Sequence, residues 1–164
     1  MSILLLNPKK KHCKNIVAYN PNTWAEWDTK VNAICNTTGA QLLPLTASYA
    51  RIRQTLTYFK NSTNYGILFS TLSCTLTTAA IIDPNNNINA TPVPIPMTIG
   101  NQILKLTTLA SITTNCFYIY IAQQTTGTQI TLNNIRVFEL PVGSQIAWDF
   151  NNLTSDQLNS RYPF

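Results

Sequence analysis

Apolar and polar side chains alternate along most of this chain, and Pro, Asn and Gly interrupt the alternation at short intervals. Ala50 to Lys60 sets Ile52, Leu56 and Tyr58 against Arg51, Arg53, Thr55 and Thr57, the period-two pattern of a half-buried strand. Tyr65 to Leu72 and Cys74 to Ile82 read as two further strands, Ile103 to Ala110 as another, and Cys116 to Ala122 as a dense apolar run suited to a core position. Gln129 to Leu140 alternates strongly through Ile130, Leu132, Ile135, Val137, Phe138 and Leu140. Shorter extended segments are expected at Ile3 to Leu6 and Asn15 to Tyr19. Turn chemistry recurs at Asn20 to Asn22, Asn61 to Asn64, Asp83 to Asn87 and Thr125 to Thr128, where Asn, Pro and Gly supply the backbone angles a turn needs. Trp24 to Ile34 fits two structures. Trp24, Trp27, Val31 and Ile34 recur at helical spacing, while their polar flanks suit an irregular strand.

Pro92, Pro94 and Pro96 fall at every second position. They remove alternate amide donors, so this segment belongs in a surface loop or at the edge of a sheet. Seven or eight strands with no long amphipathic helix predict an all-β sandwich. A chain of 164 residues is the size of one ordinary domain. Only 10% of the residues are charged, well below the usual quarter, and Asn and Thr supply the polarity instead. Both suit strands and turns.

The net charge of +5 is unevenly placed, because Lys9, Lys10, Lys11 and Lys14 cluster near the N-terminus. The rest of the chain is close to neutral. A nucleic-acid reader would spread basic residues over a face of its fold, so nucleic acid is not an expected partner. No window holds the roughly 18 apolar residues of a membrane-spanning helix, and the apolar run at Ile3 to Leu6 is too short for a secretory leader. Cys13, Cys35, Cys74 and Cys116 include no closely spaced pair, which argues for free thiols over zinc. Cys74 and Cys116 lie in apolar runs and are expected to be buried.

Catalytic chemistry finds little support. The one histidine, His12, sits in the Lys cluster, and the carboxylates Glu26, Asp28, Asp83, Glu139, Asp149 and Asp156 are scattered. No nucleophile has an identifiable base beside it. The chain is therefore expected not to be an enzyme and to need no cofactor or resident metal, although Glu26 with Asp28 has the chemistry of a calcium site. Sugar binding asks for aromatic faces with planar polar groups beside them. Trp24, Trp27 and Tyr65 are the candidate platform; Tyr49, Tyr118 and Tyr120 are further rings, the last two expected in the core from their strand context.

The closing third carries a more specific signal. Leu132, Asn134, Ile135, Val137, Phe138, Glu139 and Leu140 are followed by Asp149, Phe150, Leu153, Thr154, Asp156, Gln157, Leu158, Tyr162 and Pro163. This order resembles the final strand and tail of jelly-roll modules in tailed-phage virion proteins and, more distantly, carbohydrate-binding modules of glycoside hydrolases; a Gly-Asn-Glu-Pro loop between the two parts is missing here. The resemblance implies a single jelly-roll β-sandwich over 15–164, with an N-terminal arm over 1–14 and a short C-terminal helical turn begun by Thr154 or Ser155. It implies a virion structural component, in a capsid decoration or a tail or fibre, made in the host cytoplasm. Its partners would be other virion proteins and further copies of itself, a trimer among the options. Docking would use Lys9, Lys10, Lys11, Lys14, Tyr162 and Phe164. A host surface glycan is the alternative ligand.

Overall fold

The computed structural model describes residues 24, 27–55, 59–83, 88 and 91–140. Ten strands form among them: β1 (Thr29–Val31), β2 (Ala33–Asn36), β3 (Gly39–Leu42), β4 (Ala50–Gln54), β5 (Asn64–Cys74), β6 (Ile81–Ile82), β7 (Val93–Pro94), β8 (Gly100–Thr107), β9 (Phe117–Ile121) and β10 (Ile130–Glu139). They make two five-stranded sheets, β1-β4-β9-β6-β7 and β2-β3-β10-β5-β8, with every pairing antiparallel. The fold is the all-β sandwich expected from the alternation, of the jelly-roll kind that the resemblance implies. No helix among the described residues is long and apolar enough to cross a membrane.

The core lies between the sheets, where inward positions of both are apolar. Ala50, Ile52, Ile82, Phe117, Ile119 and Ile121 come from the first sheet, and Ala40, Leu42, Tyr65, Ile67, Phe69, Leu106, Ile130, Leu132, Ile135 and Val137 from the second. Period-two patterning produces this directly, because alternate residues of a strand face opposite sides. β10 departs from strict alternation, since its inward residues step from Leu132 to Ile135. The odd step is absorbed by a bulge against β5 between Asn133 and Arg136, where Asn134 has φ +54° and its N–H donates to Asn133 Oδ1 at 2.7 Å. Asparagine tolerates this left-handed backbone better than most residues. Beyond the bulge Phe138 and Arg136 face away from the core, yet both are buried.

Three local points go beyond the pattern. Of the two readings of Trp24 to Ile34, the irregular strand holds: β1 and β2 are extended, and the chain changes sheets between them at Asn32, whose φ is +45°. The run from Cys74 to Ile82 is not one strand. β5 ends at Cys74, and the loop that follows is clamped by buried Gln124, whose Oε1 accepts from Thr77 N at 2.8 Å and Thr78 N at 3.3 Å while its Nε2 donates to Thr78 O at 2.9 Å. β3, which alternation did not reveal, pairs with β2 across a turn in which Asn36 Oδ1 accepts from Thr38 N at 2.9 Å. Cys116 is buried as expected, whereas Cys74 is only half-buried; both, with Cys35, are free thiols. The prolines behave as anticipated. Ile95 N donates inward to Ala80 O at 2.8 Å, so the alternate positions Pro92, Pro94 and Pro96 turn their missing donors toward the open edge. The Ile3 to Leu6 and Asn15 to Tyr19 segments, the arm over 1–14 with Cys13, and the C-terminal turn lie outside the described residues.

Two predictions follow from the packing. Gly39 is buried at φ +151°, and a Cβ there would collide with the Leu132 carbonyl oxygen. Gly39→Ala is expected to cost about 2 kcal/mol or more and to lower the thermal midpoint by about 4–8 °C, measured by differential scanning calorimetry. Burial pushes the Cys116 thiol above its ordinary 9.0 and the Tyr65 phenol above its ordinary 10.0. Above about pH 9 the unfolded chain therefore releases protons that the folded protein retains, and stability falls as pH rises. The urea midpoint should stay level between about pH 7 and 8.5 and decline beyond pH 9.

Candidate functional site

Trp24 and Trp27 are each 1% exposed, and so is Tyr65. None presents a ring face to solvent, so the platform assigned to these three residues is corrected: they are core. The two indoles meet at 5.8 Å, Trp27 packs edge-on to Phe117 at 6.0 Å, and Trp24 Nε1 donates to Asn36 O at 2.8 Å. Tyr65 packs edge-on to Phe59 at 4.9 Å, and its hydroxyl accepts from Lys60 N at 2.9 Å. Two indoles this large are placed most favourably where their area leaves water. Their consequence for the surface is indirect, since they anchor the segment leading into β1 and thereby position Asp28. The docking candidates Lys9, Lys10, Lys11, Lys14, Tyr162 and Phe164, and Glu26 of the calcium candidate, lie outside the described residues. No group of three or more potential metal ligands occurs among the described residues.

The outward face of the first sheet carries the chemistry instead. β4 and β9 pair in a register that sets Arg51 opposite Tyr120 and Arg53 opposite Tyr118. With Ile52 and Ile119 fixed inward, these four side chains must project outward together. Tyr49, just before β4, joins them: its ring lies 5.4 Å from that of Tyr120, tilted by 33°, and Tyr118 meets Tyr120 edge-on at 6.2 Å. Tyr49 is held from below by Asn32, whose Nδ2 donates to Tyr49 O at 2.7 Å and to Ser48 Oγ at 3.1 Å. Tyr118 is buried under this group, while Tyr49 and Tyr120 are half-exposed.

The polar groups are interleaved with the rings. The Arg51 guanidinium lies over Tyr49 at 5.4 Å and over Tyr118 at 5.8 Å, close enough for attraction between its charge and the ring faces. The guanidinium hydrogen-bonds the Tyr118 side chain, while its Nε is buried with no hydrogen-bond partner among the described residues. Arg53 Nε donates to Asp28 Oδ1 at 3.2 Å, a pair in which both side chains are 38% exposed. On the β6 side, Ile81 pairs with Tyr120 and with exposed Pro94. Three tyrosines, two arginines and one carboxylate thus share a single outward surface. The sequence did contain its signal, the coincidence of Arg-x-Arg in one strand with Tyr-x-Tyr in another. What was missing was the register that brings the two together.

No protein-family model matches the chain, and no curated protein matches it in sequence. Among solved structures the chain is similar to one titled Family 16 Carbohydrate Binding Module-2, at 15% identity, covering 77% of this chain and 100% of that one, with a TM-score of 0.48. It is also similar to part of the enzymatically active domain of tailspike protein 4 from bacteriophage CBA120, again at 15% identity, covering 77% of this chain and 21% of that one, with a TM-score of 0.50. At this identity the likeness is one of fold: the chain has the β-sandwich of a jelly-roll module.

Proposed function

We propose that this protein is a glycan-binding module whose site is the outward face of β4 and β9. The observation that carries the reading is the cluster of Tyr49, Tyr118 and Tyr120 around Arg51, with Arg53 and Asp28 beside it. Outward positions of an antiparallel sheet are ordinarily solvated polar residues. Here half-buried rings offer apolar faces to the C–H side of a sugar, and the two guanidinium groups offer planar partners for its hydroxyls. The rigid sheet fixes these groups before a ligand arrives, which reduces the ordering that binding requires. The action proposed is capture without turnover.

The setting we propose is a tailed-phage virion, where such a module would hold a host surface glycan during adsorption. The order of residues from Leu132 to Pro163, with its resemblance to the closing segment of virion jelly rolls, supports that setting. So does the presence of this fold within a phage tailspike. Capsid decoration, or structural service in a tail or fibre through docking of Lys9, Lys10, Lys11, Lys14, Tyr162 and Phe164 on neighbouring subunits, rests on the same resemblance. Assembly as a homo-oligomer belongs to that part of the proposal.

Two experiments test these readings. Tyr120→Ala and Tyr49→Ala should each weaken glycan binding about tenfold, the ~1.4 kcal/mol at the upper end of what one aromatic contact contributes. The thermal midpoint should move little, because both rings are half-exposed. Unchanged affinity on a glycan array, for variants confirmed as folded, would sink the assignment of the site. For the virion role, replacing Lys9, Lys10, Lys11 and Lys14 together by Glu should prevent incorporation into particles while leaving glycan binding intact. Normal incorporation would remove the arm from the docking scheme.

A further inference from the structure

We infer that the saccharide held by this face is anionic, its carboxylate or phosphate oxygens bound by Arg51 with Arg53 two residues further along the same strand. This rests on the glycan-binding reading above and narrows it. Side chains at i and i+2 of a strand stand on one face about 7 Å apart, so the two guanidinium groups flank a common patch. Only one of them is neutralised. Asp28 pairs with Arg53, while Arg51, hydrogen-bonded to the Tyr118 side chain, forms no ion pair among the described residues and keeps its Nε buried with no hydrogen-bond partner among them.

No other carboxylate among the described residues is placed to serve it. Asp83 is fully buried in the turn after β6, accepting from Ile88 N at 2.8 Å, and Glu139 pairs with Lys60 at 2.6 Å on the other sheet. The local sum of Arg51, Arg53 and Asp28 is one positive charge in a chain that carries few charges of any kind. The donors of a guanidinium lie in its own plane, and those of Arg51 beyond the one given to Tyr118 remain for a ligand. That flat fork matches the two oxygens of a carboxylate or phosphate. A neutral sugar would satisfy the rings and leave the unpaired charge as it is, whereas an oxyanion satisfies both.

The test uses the full chain on an array of neutral, uronate-bearing and glycerol-phosphate-bearing glycans, with affinities for the strongest binders measured by calorimetry at low and high salt. Binding should be confined to anionic probes and should weaken several-fold between about 50 and 500 mM NaCl. Preference for uronates or for glycerol phosphates then identifies the source of the anion. Arg51→Gln should reduce affinity for the anionic probe at least tenfold with an unchanged thermal midpoint, and Arg51→Lys should recover only part of it. Asp28→Asn, which removes the competing carboxylate, should tighten binding about threefold; a gain of this kind cannot come from misfolding. Equal, salt-insensitive binding of neutral glycans, or full affinity in folded Arg51→Gln, would overturn the inference and leave the saccharide reading standing. Absence of binding to every glycan on the array would overturn both.

Discussion

The passage of one strand from the first sheet into the second at Asn32 is the constraint on which most of this structure depends. β1 and β2 are a continuous extended segment broken only by a single left-handed residue. That residue ties the layers together in three directions. Its carbonyl accepts from Leu43 N at 2.8 Å near the end of β3, and its amide reaches the Ser48 and Tyr49 positions that lead into β4. An asparagine serves here because its short amide can bond locally while its backbone takes the αL conformation. The two edges of the sandwich are held at a fixed offset by this one turn of the backbone, and the position of the Tyr49 ring follows from it.

From that corner the rest is arranged by parity. Inward residues on β4 and β9 are aliphatic or Phe, with buried Gln54 at the strand end, which leaves their alternates no choice but to form the outward cluster. Tight packing on one side therefore determines chemistry on the other. A shift of one residue in the β4–β9 pairing would bury both arginines and expose the isoleucines; the register of the recognition surface is protected by the hydrophobic core rather than by its own interactions. The tryptophans contribute in the same indirect manner, since by filling the end of the core beside Phe117 they fix where Asp28 meets Arg53.

How much of this could be read from the chain differs from element to element. β4 and β10 were legible because each alternates over enough residues to define a face, and β5, β8 and β9 because each is an apolar run of strand length between turn residues. The proline-bearing β7 was legible because missing donors exclude a central position. β3 was not, since Gly39–Leu42 is too short to alternate and is held by hydrogen bonds to two neighbours. The apolar run from Cys74 to Ile82 misled because a buried side chain, Gln124, supplies from afar the hydrogen bonds that a strand would otherwise require. The site was the hardest to see. Trp24 and Trp27 looked accessible amid polar neighbours, yet their area drives them inward; Tyr118 and Tyr120 looked internal amid Phe and Ile, and Tyr118 is buried, yet alternation sets both on the outward face. Local surroundings in sequence describe both faces of a strand at once, and only pairing separates them.

The prolines at the edge of the first sheet have a consequence for life in company. An unpaired strand edge normally offers N–H groups to which any other extended chain can add. With Pro92, Pro94 and Pro96 turned to that edge, and Ile95 already committed inward to Ala80, this margin has almost no donors to give. Many copies of the domain can then stand shoulder to shoulder on this side, at high local density, without their sheets fusing.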